Sequence, residues 1–230
     1  MRELRRRTVT ALIYAAIVLL AVGGPPIVLW ILLVGAGLVG FSELLRLRVG
    51  RPALAFGAVF VLGLVCLGFL RAAGALGARA GTPDWVPVWL LLTIIPTWAA
   101  DIAAYLVGSA VGRRRIAPSI SPGKTREGTA AGFVACALAA VAIGVTFGLP
   151  RTPVLIVALG LGPVGLAGDL LESYVKRRAG VKDSGAILPG HGGLLDRLDS
   201  LVAGAPFVFA VFIAWLLTGL GGEGGMFERF

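Results

Sequence analysis

The chain has 230 residues, of which 57% are apolar and 14% charged, with a mean hydropathy of +0.92 and a formal net charge of +9. Soluble domains carry about a quarter of their residues as charges, so this composition excludes an ordinary soluble globular protein and predicts an all-α, polytopic integral membrane helix bundle. No soluble basic domain or aromatic platform accompanies the positive charge, so it predicts no nucleic-acid partner; basic loops facing anionic membrane lipids account for it.

The chain opens on "MRELRRRTVTALIYAAIVLLAVGG", a charged start followed by an apolar run. It lacks a convincing small-x-small cleavage site and further spans follow, so a retained first helix is expected. Apolar runs bounded by charge, Pro or Gly fall at 8–23, 25–42, 53–70, 86–112, 128–148, 153–172 and 200–220, which predicts about seven transmembrane helices. The range six to eight stays open, because Pro96 sits where the run 86–112 would break if it were two helices. Residues 1–85 read as N-terminal transmembrane helices, and 86–230 as a catalytic region with two charged loops, 113–127 and 173–199. With the N-terminus inside, 17 of the 21 basic residues fall on one side, the cytoplasmic one, together with both loops, while the C-terminus lies outside. The 34 glycines favour close helix packing. Cys66 and Cys136 stand alone in apolar runs and read as core or lipid-facing residues. Glu43 reads as an acid near a membrane boundary, where exposure costs little; Asp101, with Tyr105 one turn on, is an intramembrane acid that could partner an arginine, line a site or close a polar network.

The first loop contains "SPGKTREG", residues 121–128. It is not a P-loop, because Pro118 stands where the first glycine belongs and a membrane helix, not a strand, is expected before it. Ser121, Lys124, Thr125 and Arg126 are nevertheless phosphate donors, which Glu127 can orient. Further on, Asp169, Glu172, Ser173 and Lys176 are spaced i, i+3, i+4 and i+7 and share one helix face. A carboxylate at membrane depth needs a partner or a polar cavity. Asp196 and Asp199, spaced i, i+3 at the opening of the last span, point the same way, and Arg197 points elsewhere. Three carboxylates on two neighbouring helix ends, Asp169, Asp196 and Asp199, can hold Mg²⁺ through oxygen ligands and leave room for water and phosphates. "PGHGG" offers Gly190, Gly192 and Gly193 as backbone for close approach to phosphate, with His191, the sole histidine, as a hydrogen-bond partner.

The stretch "GDLLESYVKRRAGVKDSGAILPGHGGLLDRLDS" resembles the signature of the phosphatidate cytidylyltransferase (CDP-diacylglycerol synthase) family, and "DIAAYLVGSAVGRRRIAPSISPGKTREG" is similar to that family's second characteristic stretch. The resemblance implies Mg²⁺-dependent transfer of a cytidylyl group from CTP to phosphatidate, giving CDP-diacylglycerol and pyrophosphate at a prokaryotic cell membrane. By motif position it implies Asp169, Asp196 and Asp199 as metal carboxylates. It also associates Ser121, Lys124, Lys176, Lys182, Asp183, His191 and Arg197 with the site, and implies a homodimer and a second, monovalent cation. The rivals are cytidylyl transfer to another lipid phosphate, CTP-dependent lipid kinase chemistry, and a cation-coupled transporter using Asp101 and Asp169 as an ion path.

Overall fold

A computed structural model describes residues 16–18, 20–47, 50–78, 80–185 and 192–220. After helical residues at 16–18 and 20–23, six long helices follow: α1 (Pro26–Leu47), α2 (Arg51–Ala72), α3 (Val88–Val111), α4 (Arg126–Phe147), α5 (Arg151–Arg178) and α6 (Leu195–Leu220). All six are long and apolar enough to cross a membrane, so the chain is an all-α polytopic membrane protein. Most of the expected span 8–23 lies outside the described residues.

The run 86–112 forms one helix, α3, with Pro96 inside it. Pro96 cannot donate to the preceding turn, and the Thr93 and Thr97 hydroxyls beside it bond the carbonyls of Trp89 and Thr93 at 2.8 and 2.7 Å. α3 lies against α4 along a stripe of small residues. A Cβ on Gly128 would come within 2.9 Å of Gly108 Cα, and one on Gly132 within 2.9 Å of the Ala100 carbonyl. α5 packs on α6, and α2 also packs on α6. The core thickens at the far end of the bundle from the charged loops. There the fully buried Trp89 donates to Leu76 O at 2.8 Å and its ring meets Phe212 and Trp215, with centroids 5.0 and 5.6 Å away.

Both charged loops are shorter than hydropathy indicates. The apolar window of α5 ends near residue 172, but the helix continues to Arg178 and stops only at Gly180, whose φ is 72° and whose N–H caps Arg177 O at 3.1 Å. Lys176, Arg177 and Arg178 occupy that last turn, where cations complement the helix dipole. α6 likewise begins at Leu195, not 200, so Asp196 and Asp199 sit in its first turns. Of the loop expected at 173–199, residues 179–185 and 192–194 are non-helical, and 186–191 lie outside the described residues. The other loop holds a small antiparallel hairpin, β1 (Arg115–Ala117) with β2 (Ser121–Thr125). Glu127 Oε2 accepts from the N–H groups of Arg113 and Arg114 at 3.1 and 3.3 Å and holds the hairpin's entry, so its orienting part falls on backbone.

Candidate functional site

α4 and α5 separate the two charged stretches by two crossings of the bundle, which returns them to the same end. There they touch: Arg177 Nε donates to Ile120 O at 3.2 Å, and the Lys124 ammonium from β2 forms an ion pair with Asp169 on α5. Between them lies a cavity of about 530 Å³. Its inner wall is apolar or small, with Phe133, Leu161 and Gly165, and its mouth is charged. Of the expected site residues, Ser121, Lys124, Thr125, Asp169, Asp196, Arg197 and Asp199 all line it. Asp101 lines it too.

The carboxylates have different surroundings. Asp169 accepts from Lys124 and, at 3.3 Å, from the Ser173 hydroxyl, with both ion-pair side chains about a quarter exposed at 24% and 21%. Asp199 is half-buried, and its Oδ1 accepts from its neighbour's amide, Ser200 N, at 2.7 Å. Asp196 is committed: Oδ1 accepts from Lys176 Nζ at 2.5 Å, and Oδ2 accepts from Ser184 N at 3.0 Å and Gly193 N at 2.8 Å. Lys176 also pairs with Glu172 at 2.7 Å, and Glu172 Oε1 is buried with no partner. Thus the face Asp169, Glu172, Ser173 and Lys176 exists as the spacing predicts, but Lys176 reaches Asp196 on α6, not Asp169. Among the described residues no three His, Cys, Asp or Glu side chains stand close enough to enclose a metal ion by themselves.

Gly192 and Gly193 flank Asp196, and Gly192 holds φ 82°, a conformation suited to glycine. Arg126, Lys182 and Asp183 are exposed and are not among the residues lining the cavity. Gly190 and His191 lie outside the described residues. Thr125 lines the cavity and also caps α4, its Oγ1 accepting Gly128 N at 3.2 Å.

Glu43 corrects an expectation. It is not at an exposed boundary but fully buried, 0% exposed, against the start of α6. Its Oε1 accepts Leu194 N at 3.1 Å, its Oε2 accepts Leu195 N at 3.0 Å, and Ser184 Oγ sits 3.1 Å from Oε2. Part of the signal was in the sequence, since one acid inside a 22-residue apolar helix needs donors, but only the packing shows that the start of α6 supplies them.

The fold and site define a membrane protein whose bundle of helices, each long and apolar enough to cross a membrane, carries at one end a cavity lined by lysine, arginine and carboxylates above an apolar floor. The chain belongs to the cytidylyltransferase family, whose sequence model matches residues 56–215. It is 42% identical over 135 residues to the phosphatidate cytidylyltransferase of Haemophilus influenzae, covering 56% of this chain and 46% of that one. It is 46% identical over 140 residues to the phosphatidate cytidylyltransferase of Synechocystis, covering 59% and 47%. It is also 46% identical over 127 residues to the uncharacterized protein YnbB of Escherichia coli, covering 55% and 42%. The chain spans about half the length of the curated relatives it matches.

Proposed function

We propose that this protein transfers a cytidylyl group from CTP to phosphatidate in the membrane, releasing pyrophosphate. The observation that carries the reading is the meeting of the two charged stretches at one cavity, through Lys124 and Asp169, in a chain of the cytidylyltransferase family. In the reaction a phosphate oxygen of phosphatidate forms a bond to the α-phosphorus of CTP. The bond from that phosphorus to the bridging oxygen breaks, and pyrophosphate leaves with the electron pair. Little covalent chemistry falls to the protein: it aligns two polyanions, screens their repulsion and stabilises the departing charge.

Lys124 and Arg197, at the cavity mouth, are the residues that screen the phosphates. Ser121 and Thr125 add hydroxyl donors on the hairpin side, and Gly192 and Gly193 present backbone opposite. Lys182, Asp183 and His191 are assigned to the same site by motif position, and Arg126 as a phosphate donor of the first loop.

The donor set fits Mg²⁺. This ion usually binds one or two carboxylates and completes its shell with water and substrate phosphates, so no three-carboxylate cage is required. Asp169 and Asp199 face the cavity as its protein ligands, while Asp196, on the same cavity, keeps Lys176 in place. When bound, Mg²⁺ supplies charge neutralisation on the phosphates. A second, monovalent cation and a homodimer complete the reading. The apolar floor receives the lipid, and the charged end faces the cytoplasm, with the N-terminal helices of 1–85 supporting the catalytic region 86–230.

Purified full chain, given labelled CTP and phosphatidate with and without Mg²⁺, is expected to form CDP-diacylglycerol only with the metal. Product from a prenyl phosphate and none from phosphatidate would replace the lipid; cation flux in vesicles with no product from any lipid phosphate would overturn the reading.

A further inference from the structure

We infer that Glu43 is a positioning residue for the active centre: from a helix distant in sequence, it fixes the first turn of α6 and, through Ser184, the carboxylate that holds Lys176. The inference rests on the proposed reaction for its kinetic consequence, but the tie itself stands on geometry alone.

The chain of contacts is continuous. Glu43 Oε1 and Oε2 take the N–H groups of Leu194 and Leu195, which head α6 and have no intrahelical acceptor. A carboxylate at a helix N-terminus also complements the dipole there. Ser184 Oγ lies 3.1 Å from Glu43 Oε2 and 3.1 Å from Asp196 Oδ2, so its single hydroxyl proton is shared between the two acids. Asp196 in turn holds Lys176 Nζ at 2.5 Å. Four segments, α1, the stretch around Ser184, α6 and α5, are joined by this one buried run of polar groups, all less than a tenth exposed at the Glu43, Ser184 and Lys176 positions.

Glycine makes the fit possible at two places. A Cβ on Gly185 would come within 2.9 Å of Glu43 Cδ, and one on Gly193 within 2.7 Å of Glu43 Oε2. The loop is therefore seated directly on the carboxylate. Asp199, one turn beyond Asp196, is carried by the same helical start, so a shift of α6 moves it relative to Asp169 across the cavity. Catalytic alignment is sensitive to such shifts: about 1 Å of misplacement can lower a rate by roughly a hundredfold.

The test uses Glu43→Gln in the full chain. Whichever way its amide is turned, the glutamine sets an NH₂ against the N–H of Leu194 or of Leu195. The expected result, per folded molecule and well below the melting temperature, is a kcat lowered about ten- to a hundredfold, with KM for CTP within about threefold of wild type. Ser184→Ala leaves both backbone N–H groups capped and keeps the Ser184 N–H bond to Asp196, removing only the hydroxyl bridge between Glu43 and Asp196; it should lower kcat by about three- to tenfold with a near-wild-type melting temperature. Because the two residues act in series, the double variant should fall short of the product of the single effects. Unchanged kcat in folded Glu43→Gln, a lowered melting temperature as the only effect, or strictly multiplicative effects would overturn the inference. If the wild-type chain transfers nothing to phosphatidate, the proposed reaction fails instead. Hydrogen exchange over 192–200 then decides the tie: faster exchange in Glu43→Gln upholds it, and wild-type exchange refutes it.

Discussion

The two sides of the charged end use the same residue types in opposite ways. On the hairpin side Lys124 and Asp169 pair directly on the wall of a cavity, about a quarter exposed, with open space beside the pair. On the α1 side Lys176, Glu172, Asp196, Ser184 and Glu43 hold one another, Asp196 alone of them reaching the cavity wall, and the Lys176 and Asp196 side chains are only 10% and 9% exposed. An ion pair that solvent and substrate can reach is available for exchange: Lys124 can leave Asp169 for a phosphate. A sealed pair cannot be separated without leaving a buried charge. The lesson is that identity and spacing nominate ionisable residues, and access decides which of them handle substrate.

The sharpest way to break this division is Asp196→Asn. If Asp196 belongs to the sealed side, the variant leaves Lys176 half-compensated and turns an NH₂ toward Lys176 or toward the donors of Ser184 and Gly193. The expected loss is about 3–5 kcal/mol of stability, with activity falling alongside it. Thermal unfolding in detergent reads this directly. An Asp196→Asn protein that melts like wild type but has lost its Mg²⁺ dependence would move Asp196 to the open side, as a metal ligand.

Asp199→Asn and Asp169→Asn should show the reverse pattern. Both lie on the open cavity, so melting should shift little, while turnover falls by about a hundred- to a thousandfold and the Mg²⁺ requirement rises. Equal losses of stability and activity would erase the contrast between the sides.

Much of this end was legible in the chain itself, for reasons that are particular. Asp169, Lys124 and Arg197 stand out because charge in apolar sequence is costly and so reports a function or a partner. The helix boundaries were harder: hydropathy marks where lipid ends, and α5 runs on through Lys176 to a stop set by Gly180, a matter of backbone conformation. Of the two partners of Lys176, Glu172 was legible as its neighbour one turn back on the shared face, and Asp196 was not. Asp169 and Glu172 both lie within one or two turns of it on the same helix, and only the packing of α6 brings in Asp196. Glu43 was seen but misplaced, because nothing local shows that α1 ends against the start of α6.

A smaller effect sharpens the open side. Lys124→Ala removes one charge-assisted contact to phosphate, worth about 1.5–3 kcal/mol, or roughly ten- to more than a hundredfold in rate where it is fully realised in the transition state. It also frees Asp169, which is partly exposed and can be solvated, so expression and melting should hold. Initial rates across CTP concentrations separate a loss in KM from one in kcat. Wild-type kinetics would confine Lys124 to holding the hairpin on α5.

The smallest expected effect lies where the two kinds of role meet in one residue. Thr125 lines the cavity, pairs with Arg115 in the hairpin and caps α4 through Gly128 N. Its side chain also sits against α3: a Cβ on Gly112 would come within 2.7 Å of Thr125 Oγ1, and one on Gly108 within 3.1 Å. Thr125→Ala removes the cap, which typically costs about 1 kcal/mol. Thr125→Ser keeps the capping oxygen and the cavity hydroxyl and loses only a methyl group. If Thr125 acts through the cap alone, Ala should lower the melting temperature slightly and leave kcat near wild type, and Ser should restore the melting temperature. If its hydroxyl also meets phosphate, Ala should raise KM for CTP at temperatures where the protein is fully folded, and Ser should bring KM back. The KM comparison at fixed fold therefore assigns Thr125 to the scaffold or to the open cavity, a distinction that melting alone does not make.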